Sequence, residues 1–144
     1  GVRTFEAAAW LRRSGADTTE VKRFFQTDME MFRVRAKSIA SAELHNNGVA
    51  TSLCEGYNRD AQIINSQVAD ELLNIKGVKA SFVAGKNDSG KTVVSARSLG
   101  ELNVQVIMEK LGGGGHLTTA GAQVEESPED VLEVIKNIIG SEER

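Results

Sequence analysis

Apolar positions in residues 18–40 recur at helical spacing. Val21, Phe24 and Phe25 share one face, and Phe32, Ala36 and Ile39 continue the stripe. Asp17 and Glu20 frame a capping-box-like start. Thr27-Asp28-Met29-Glu30 repeats that pattern, so the helix is expected to break there and restart. Upstream, residues 3–14 predict a short helix that Thr4 caps, alanines fill and Gly15 ends. After residue 40 the pattern changes. Segments 41–45 and 49–54 flank Asn46-Asn47-Gly48, and Asn-Gly tolerates positive φ, which is a hairpin signal. Helical spacing returns over 60–74, with Ile64, Val68 and Leu72 on one face. Strands are predicted over 78–84 and 91–96, joined by the turn-rich segment 85–90. A helix over 103–111, capped by Asn103, runs into four glycines. A strand over 120–124 follows, and Ser127-Pro128 opens a last helix that Gly140 closes.

This order predicts an α+β (mixed α/β) domain: a mixed sheet with flanking helices, preceded by an N-terminal helical arm. Residues 1–40 are the arm, a linker to another domain, and residues 41–144 are the domain proper. At 144 residues the chain is one ordinary domain, able to bury roughly 68–70% of its unfolded surface. Hydrophobic content of 40% and charged content of 26% fit a soluble globular protein. No segment approaches the ~18 consecutive apolar residues of a membrane helix. The chain opens Gly1-Val2-Arg3 without an initiator methionine. A longer parent is therefore expected, with room for membrane spans upstream. The single cysteine, Cys54, excludes an internal disulfide and reads as a buried structural thiol in the apolar run 49–54.

Net charge of −3 argues against broad, non-specific nucleic-acid binding. A small anion needs only a few local cations. Four consecutive glycines, 112–115, lie between a capped helix and an apolar strand. A helix end needs one glycine. Four leave a backbone bare of Cβ atoms, which a ligand can approach, and successive amides can form an anion nest. His116 follows as a donor, with Thr118 and Thr119 nearby. The alternative is a long flexible turn. The run is not a P-loop, because no Gly-Lys-Ser/Thr follows.

Arg97 alone reads as a surface residue at a strand end. Ser98 reads as a turn residue and Asn103 as a helix cap. Segments 95–103 and 112–116 bracket the same short helix, so its two ends are expected to contribute to one cleft. Gln62, Asn65 and Ser66 read first as an ordinary polar helix face, and as base-reading groups second. Hydrolysis requires a metal cluster or an activated nucleophile. Two histidines, His45 and His116, and no Asp-x-Asp or Asp-His-His run offer neither. His45, beside the hairpin turn, is expected to be solvated.

The residues Arg97-Ser98, the run from Asn103 to His116 and the segment Thr118–Ala122 resemble the DHH-associated domain of the DHH phosphoesterase superfamily. Residues 3–12 with 15–17, and residues 62–67, are similar to membrane-anchored cyclic-di-AMP phosphodiesterases. The resemblance implies an absent DHH domain holding two Mn²⁺, with no cofactor in this chain. It implies substrate binding by Arg97, Ser98, Gly113, Gly114, Gly115 and His116, with Asn103 a weaker transfer and no catalytic or metal residue. It implies hydrolysis of cyclic-di-AMP to linear pApA by the parent, this chain alone being inactive. The expected partners are a cyclic dinucleotide or short oligonucleotide and the upstream DHH domain, with a homodimer allowed. The chain is expected to be cytoplasmic without touching the membrane, its parent anchored in the plasma membrane. Two other readings stand beside this: a nanoRNase-type oligoribonuclease fragment, and a nucleotide-binding module without catalysis.

Overall fold

The structure, a computed structural model, describes residues 18–56 and 59–142. The helix expected over residues 3–14 lies outside the described residues. Backbone contacts divide the chain into two units, 1–33 and 34–144. Helix α1 is Thr18–Ala40 and is unbroken. The restart expected at Thr27–Glu30 is absent, because capping side chains end a helix only where its backbone hydrogen bonds already stop.

After α1 the elements run β1 Glu43–Leu44, β2 Val49–Leu53, α2 Ala61–Leu72, β3 Ala80–Lys86 and β4 Thr92–Ser98. Then come α3 Val104–Lys110, β5 Gly114–Gly115, β6 Thr119–Val124 and α4 Pro128–Glu142. The six strands form one mixed sheet in the order β1-β2-β3-β4-β6-β5. Only β2 and β3 pair in parallel, and α2 is the crossover that parallel neighbours require. The expected fold class is therefore the observed one: a mixed sheet with helices on its faces.

The turns follow their chemistry. Gly48 adopts φ 81°, and the Asn47 side chain accepts from the Val49 amide at 3.2 Å. In the β3–β4 turn the Asn87 side chain accepts from the amides of Ser89 and Lys91.

Side chains alternate across the sheet, so each strand contributes to two different layers. Phe82, Val94, Ala96, Ala120 and Ala122 face α3 and α4, where Ile107, Met108 and Ile135 complete the main core. The opposite face carries Ser81, Val83, Val93, Ser95 and Arg97. Helix α2 packs there, burying Ile64, Val68 and Leu72 completely. Each such side chain contributes roughly 1.5–3 kcal/mol. Two polar ties fix the helix in place: the Ser81 hydroxyl donates to the Ala69 carbonyl at 2.7 Å, and the Asn65 amide donates to the Val93 carbonyl at 3.1 Å. α2 packs chiefly on β3 and β4. The part of this face formed by β6 and β5 is left open.

Candidate functional site

The open part of the sheet is the floor of a groove of about 490 Å³. Its wall is one face of α2, on which Gln62, Ser66 and Asp70 follow one another at i, i+4 spacing. Helix and strand run in step. Asp70 meets Arg97, and the Ser66 hydroxyl meets that of Ser95 at 3.2 Å. Across the sheet Arg97 pairs with Thr119, Ser95 with Gly121 and Val93 with Gln123. Gly114 extends the floor by pairing with Gly121.

Arg97 lies within β4, not at its end, because the strand runs on to Ser98. Its Nε donates to Asp70 at 2.8 Å and one terminal nitrogen donates to the Ala96 carbonyl at 2.9 Å. The Arg97 side chain is 14% exposed and Asp70 is 62% exposed. The guanidinium is thus oriented from two sides, and its second terminal nitrogen is the group left to meet a ligand. Among the described residues that line the groove Arg97 is the one lysine or arginine, and the nearest carboxylate given is that of Asp70, held on Arg97 at the groove's edge.

Each glycine of 112–115 has its own reason. Gly112, at φ 86°, ends α3 in a Schellman turn: its amide donates to Glu109 and that of Gly113 to Met108. A Cβ on Gly113 would lie 2.1 Å from the Gly121 carbonyl oxygen. A Cβ on Gly115 would lie 2.4 Å from that of Thr119. Gly114 differs, because a Cβ there meets nothing within 4 Å.

The expected nest of successive amides does not form. The amides of Gly112, Gly113 and His116 donate within the protein, the last to Thr119 at 2.7 Å. His116 and Thr119 exchange hydrogen bonds, so ladder alternation leaves Gly115 as the amide facing away from β6. The run is better described as a flat peptide floor. Asymmetry between its glycines, not their number, separates the protein's needs from a ligand's.

The structure brings Arg97, Gly113, Gly114, Gly115 and His116 together on the groove. Ser98 and Asn103 do not line it. The Ser98 hydroxyl donates to the Leu117 carbonyl and accepts from the Gly100 amide. The Asn103 side chain accepts from the amides of Gln105 and Val106. Segments 95–103 and 112–116 do both reach one cleft, through Ser95 and Arg97 and through Gly113–His116, whereas α3 itself packs on the opposite face of the sheet. Its first amides are also engaged, that of Val104 by the Leu117 carbonyl.

Of the other residues singled out, Asn65 is buried and turned inward, whereas Gln62 and Ser66 line the groove. His45 is half-buried rather than solvated and shares a hydrogen bond with the Thr51 hydroxyl at 3.0 Å. Cys54 is buried, and burial pushes its thiol above the ordinary value, with Glu55 adding to the shift and the Ser38 hydroxyl opposing it. Asp70, Ser95 and Gln123 were not expected at the site. Their signal was the even spacing of Val93, Ser95 and Arg97 together with the i, i+4 spacing along α2.

The family model of the DHHA1 domain matches residues 46–141. This chain belongs to the DHHA1 family. The match includes every groove residue of the DHHA1 domain and leaves α1 outside. The chain is 47% identical to the cyclic-di-AMP phosphodiesterase GdpP of Geobacillus thermodenitrificans, over 86% of its own length and 19% of that protein. It is 44% identical to the cyclic-di-AMP phosphodiesterase PdeA of Listeria monocytogenes, over 88% of this chain and 19% of that protein. The chain thus spans about a fifth of the length of these relatives. Its fold matches an exopolyphosphatase-related protein from Bacteroides fragilis with TM-score 0.67 and 16% identity, over 98% of this chain and 44% of the other.

The donor set of the groove does not fit a manganese centre. Mn²⁺ takes carboxylates and imidazoles. The groove offers one imidazole, a guanidinium, two amides and three hydroxyls. Among the described residues no group of three His, Cys, Asp or Glu side chains is placed to hold a metal. A guanidinium, an imidazole and hydroxyls are groups that can donate to an anion.

Proposed function

We propose that this chain is the substrate-gripping part of a metal-dependent phosphodiesterase that hydrolyses cyclic-di-AMP to linear pApA. One observation carries the reading: an oriented Arg97 guanidinium, the His116 imidazole and the bare Gly114 backbone converge on one groove. A phosphate oxygen meets a charge-assisted donor there, on the side of the guanidinium that Asp70 does not occupy. The chain's contribution is to bind and orient the nucleotide, which converts an encounter into a held geometry.

We assign the two Mn²⁺ to a DHH domain outside this chain, and residues 1–40 to the linker that joins the two. We take the chain to act on the cytoplasmic side of a parent anchored in the plasma membrane. The identity with two cyclic-di-AMP phosphodiesterases supports this reading over an oligoribonuclease.

Titration of pApA into the chain, followed by two-dimensional NMR, tests the proposal. Perturbed amides should cluster at residues 113–121 and around Arg97. Arg97→Ala should weaken binding by one to two decades, because a hydrogen bond to a charged group contributes about 1.5–3 kcal/mol. Equal affinity in the variant, with its spectrum otherwise intact, would remove the groove from consideration.

A further inference from the structure

The groove has a direction as well as a composition. Its register sets three levels along β4: Asp70, Arg97 and Thr119; then Ser66, Ser95 and Gly121; then Gln62, Val93 and Gln123. Four residues of strand separate the first from the last, ~13 Å at ~3.3 Å per residue. The cation and His116 stand at one end. The middle is floored by Gly114 and Gly121, whose lack of side chains leaves bare peptide. The far end carries two primary amides from opposite sides, Gln62 from the helical wall and Gln123 from the sheet.

We infer that the groove holds a nucleotide in one orientation, phosphate at Arg97 and base between Gln62 and Gln123, and that these two amides select adenine over guanine. The inference rests on the nucleotide-binding reading above and adds to it the residues that read the base. Asn65, the neighbouring amide, is engaged by the Val93 carbonyl, whereas no protein hydrogen bond holds the side chain of Gln62 or Gln123 among the described residues. An amide presents a donor and an acceptor side by side. Adenine offers the matching acceptor and donor at N7 and N6. Guanine offers two acceptors on that edge, O6 and N7, and these call for an arginine or lysine. Among the described residues no cation lines the far end of the groove. No aromatic residue lines it among the described residues, so the base rests on the peptide floor, and its identity is read at its edge.

The experiment titrates the 144-residue chain with 5′-AMP, 5′-GMP and ribose 5-phosphate, reading affinity from NMR shift changes. The wild type should prefer AMP to GMP by about tenfold or more, the discrimination of one bidentate amide–base pair. Gln62→Ala with Gln123→Ala should bring AMP down to the affinity of ribose 5-phosphate and leave ribose 5-phosphate itself unchanged. Gln62→Arg should move the preference toward GMP. Arg97→Ala should weaken all three ligands. A double glutamine variant that still prefers AMP, or that loses ribose 5-phosphate in equal measure, overturns the orientation while the nucleotide site stands. Absence of binding by all three ligands in the wild type overturns the nucleotide reading and the orientation with it.

Discussion

Among single residues, the glycines at 113 and 114 separate two demands that look identical in the sequence. At Gly113 a methyl group would meet the Gly121 carbonyl and the Ala122 backbone, neither of which can yield without moving β6. Gly113→Ala should therefore destabilise the fold by about 1–3 kcal/mol, the usual cost of overpacking. At Gly114 the methyl would enter open space, and stability should change by less than about 0.5 kcal/mol. Its effect should appear in binding instead, because the methyl occupies the floor on which a ligand rests. Thermal unfolding and pApA titration of the two variants check both halves. A Gly114→Ala variant that binds as tightly as the wild type would mean that the ligand does not touch the floor there.

Among elements, α3 is anchored by its cap and by its apolar face. Asn103→Ala removes the acceptor for two first-turn amides and should cost about 0.5–2 kcal/mol. Because α3 packs on the face opposite the groove, ligand affinity should be unchanged at temperatures where the variant is folded. Urea denaturation alongside the titration separates the two effects. The long elements were legible because their periods are strong: Ile64, Val68 and Leu72 announce α2, and Asn46-Asn47-Gly48 announces its turn. β5 was not, since two glycines carry no alternation and their strand exists only through pairing with β6. The site was half legible. Arg97, the glycines and His116 stand out by residue type. Ser98 and Asn103 look equally polar, but parity puts Ser98 on the core side and helix geometry turns Asn103 onto its own backbone. Asp70, Ser95 and Gln123 become site residues only once strand register and helix phase are known, which are tertiary facts.

For the molecule as a whole, the sheet is polarised into a fully packed face and a half-covered one. The packed face carries the main hydrophobic core, and the half-covered face carries the groove. The 144-residue chain supplied with Mn²⁺ should release no pApA from cyclic-di-AMP, because among the described residues no group of three His, Cys, Asp or Glu side chains is placed to hold a metal. Chromatography of the reaction mixture checks this, and steady turnover would show that this chain holds chemistry assigned to its partner domain. The helix that half-covers the sheet also has a second obligation. Its phase against β4 is fixed twice, by Asp70 on Arg97 and by Ser66 on Ser95, so one residue added or removed within it would turn the side chains beyond that point by about 100°. Insertions and deletions in it are therefore closed to evolution, while surface turns elsewhere can lengthen freely. Diversification of ligand preference in this lineage should proceed by point replacement at positions 62, 66 and 70, at constant helix length.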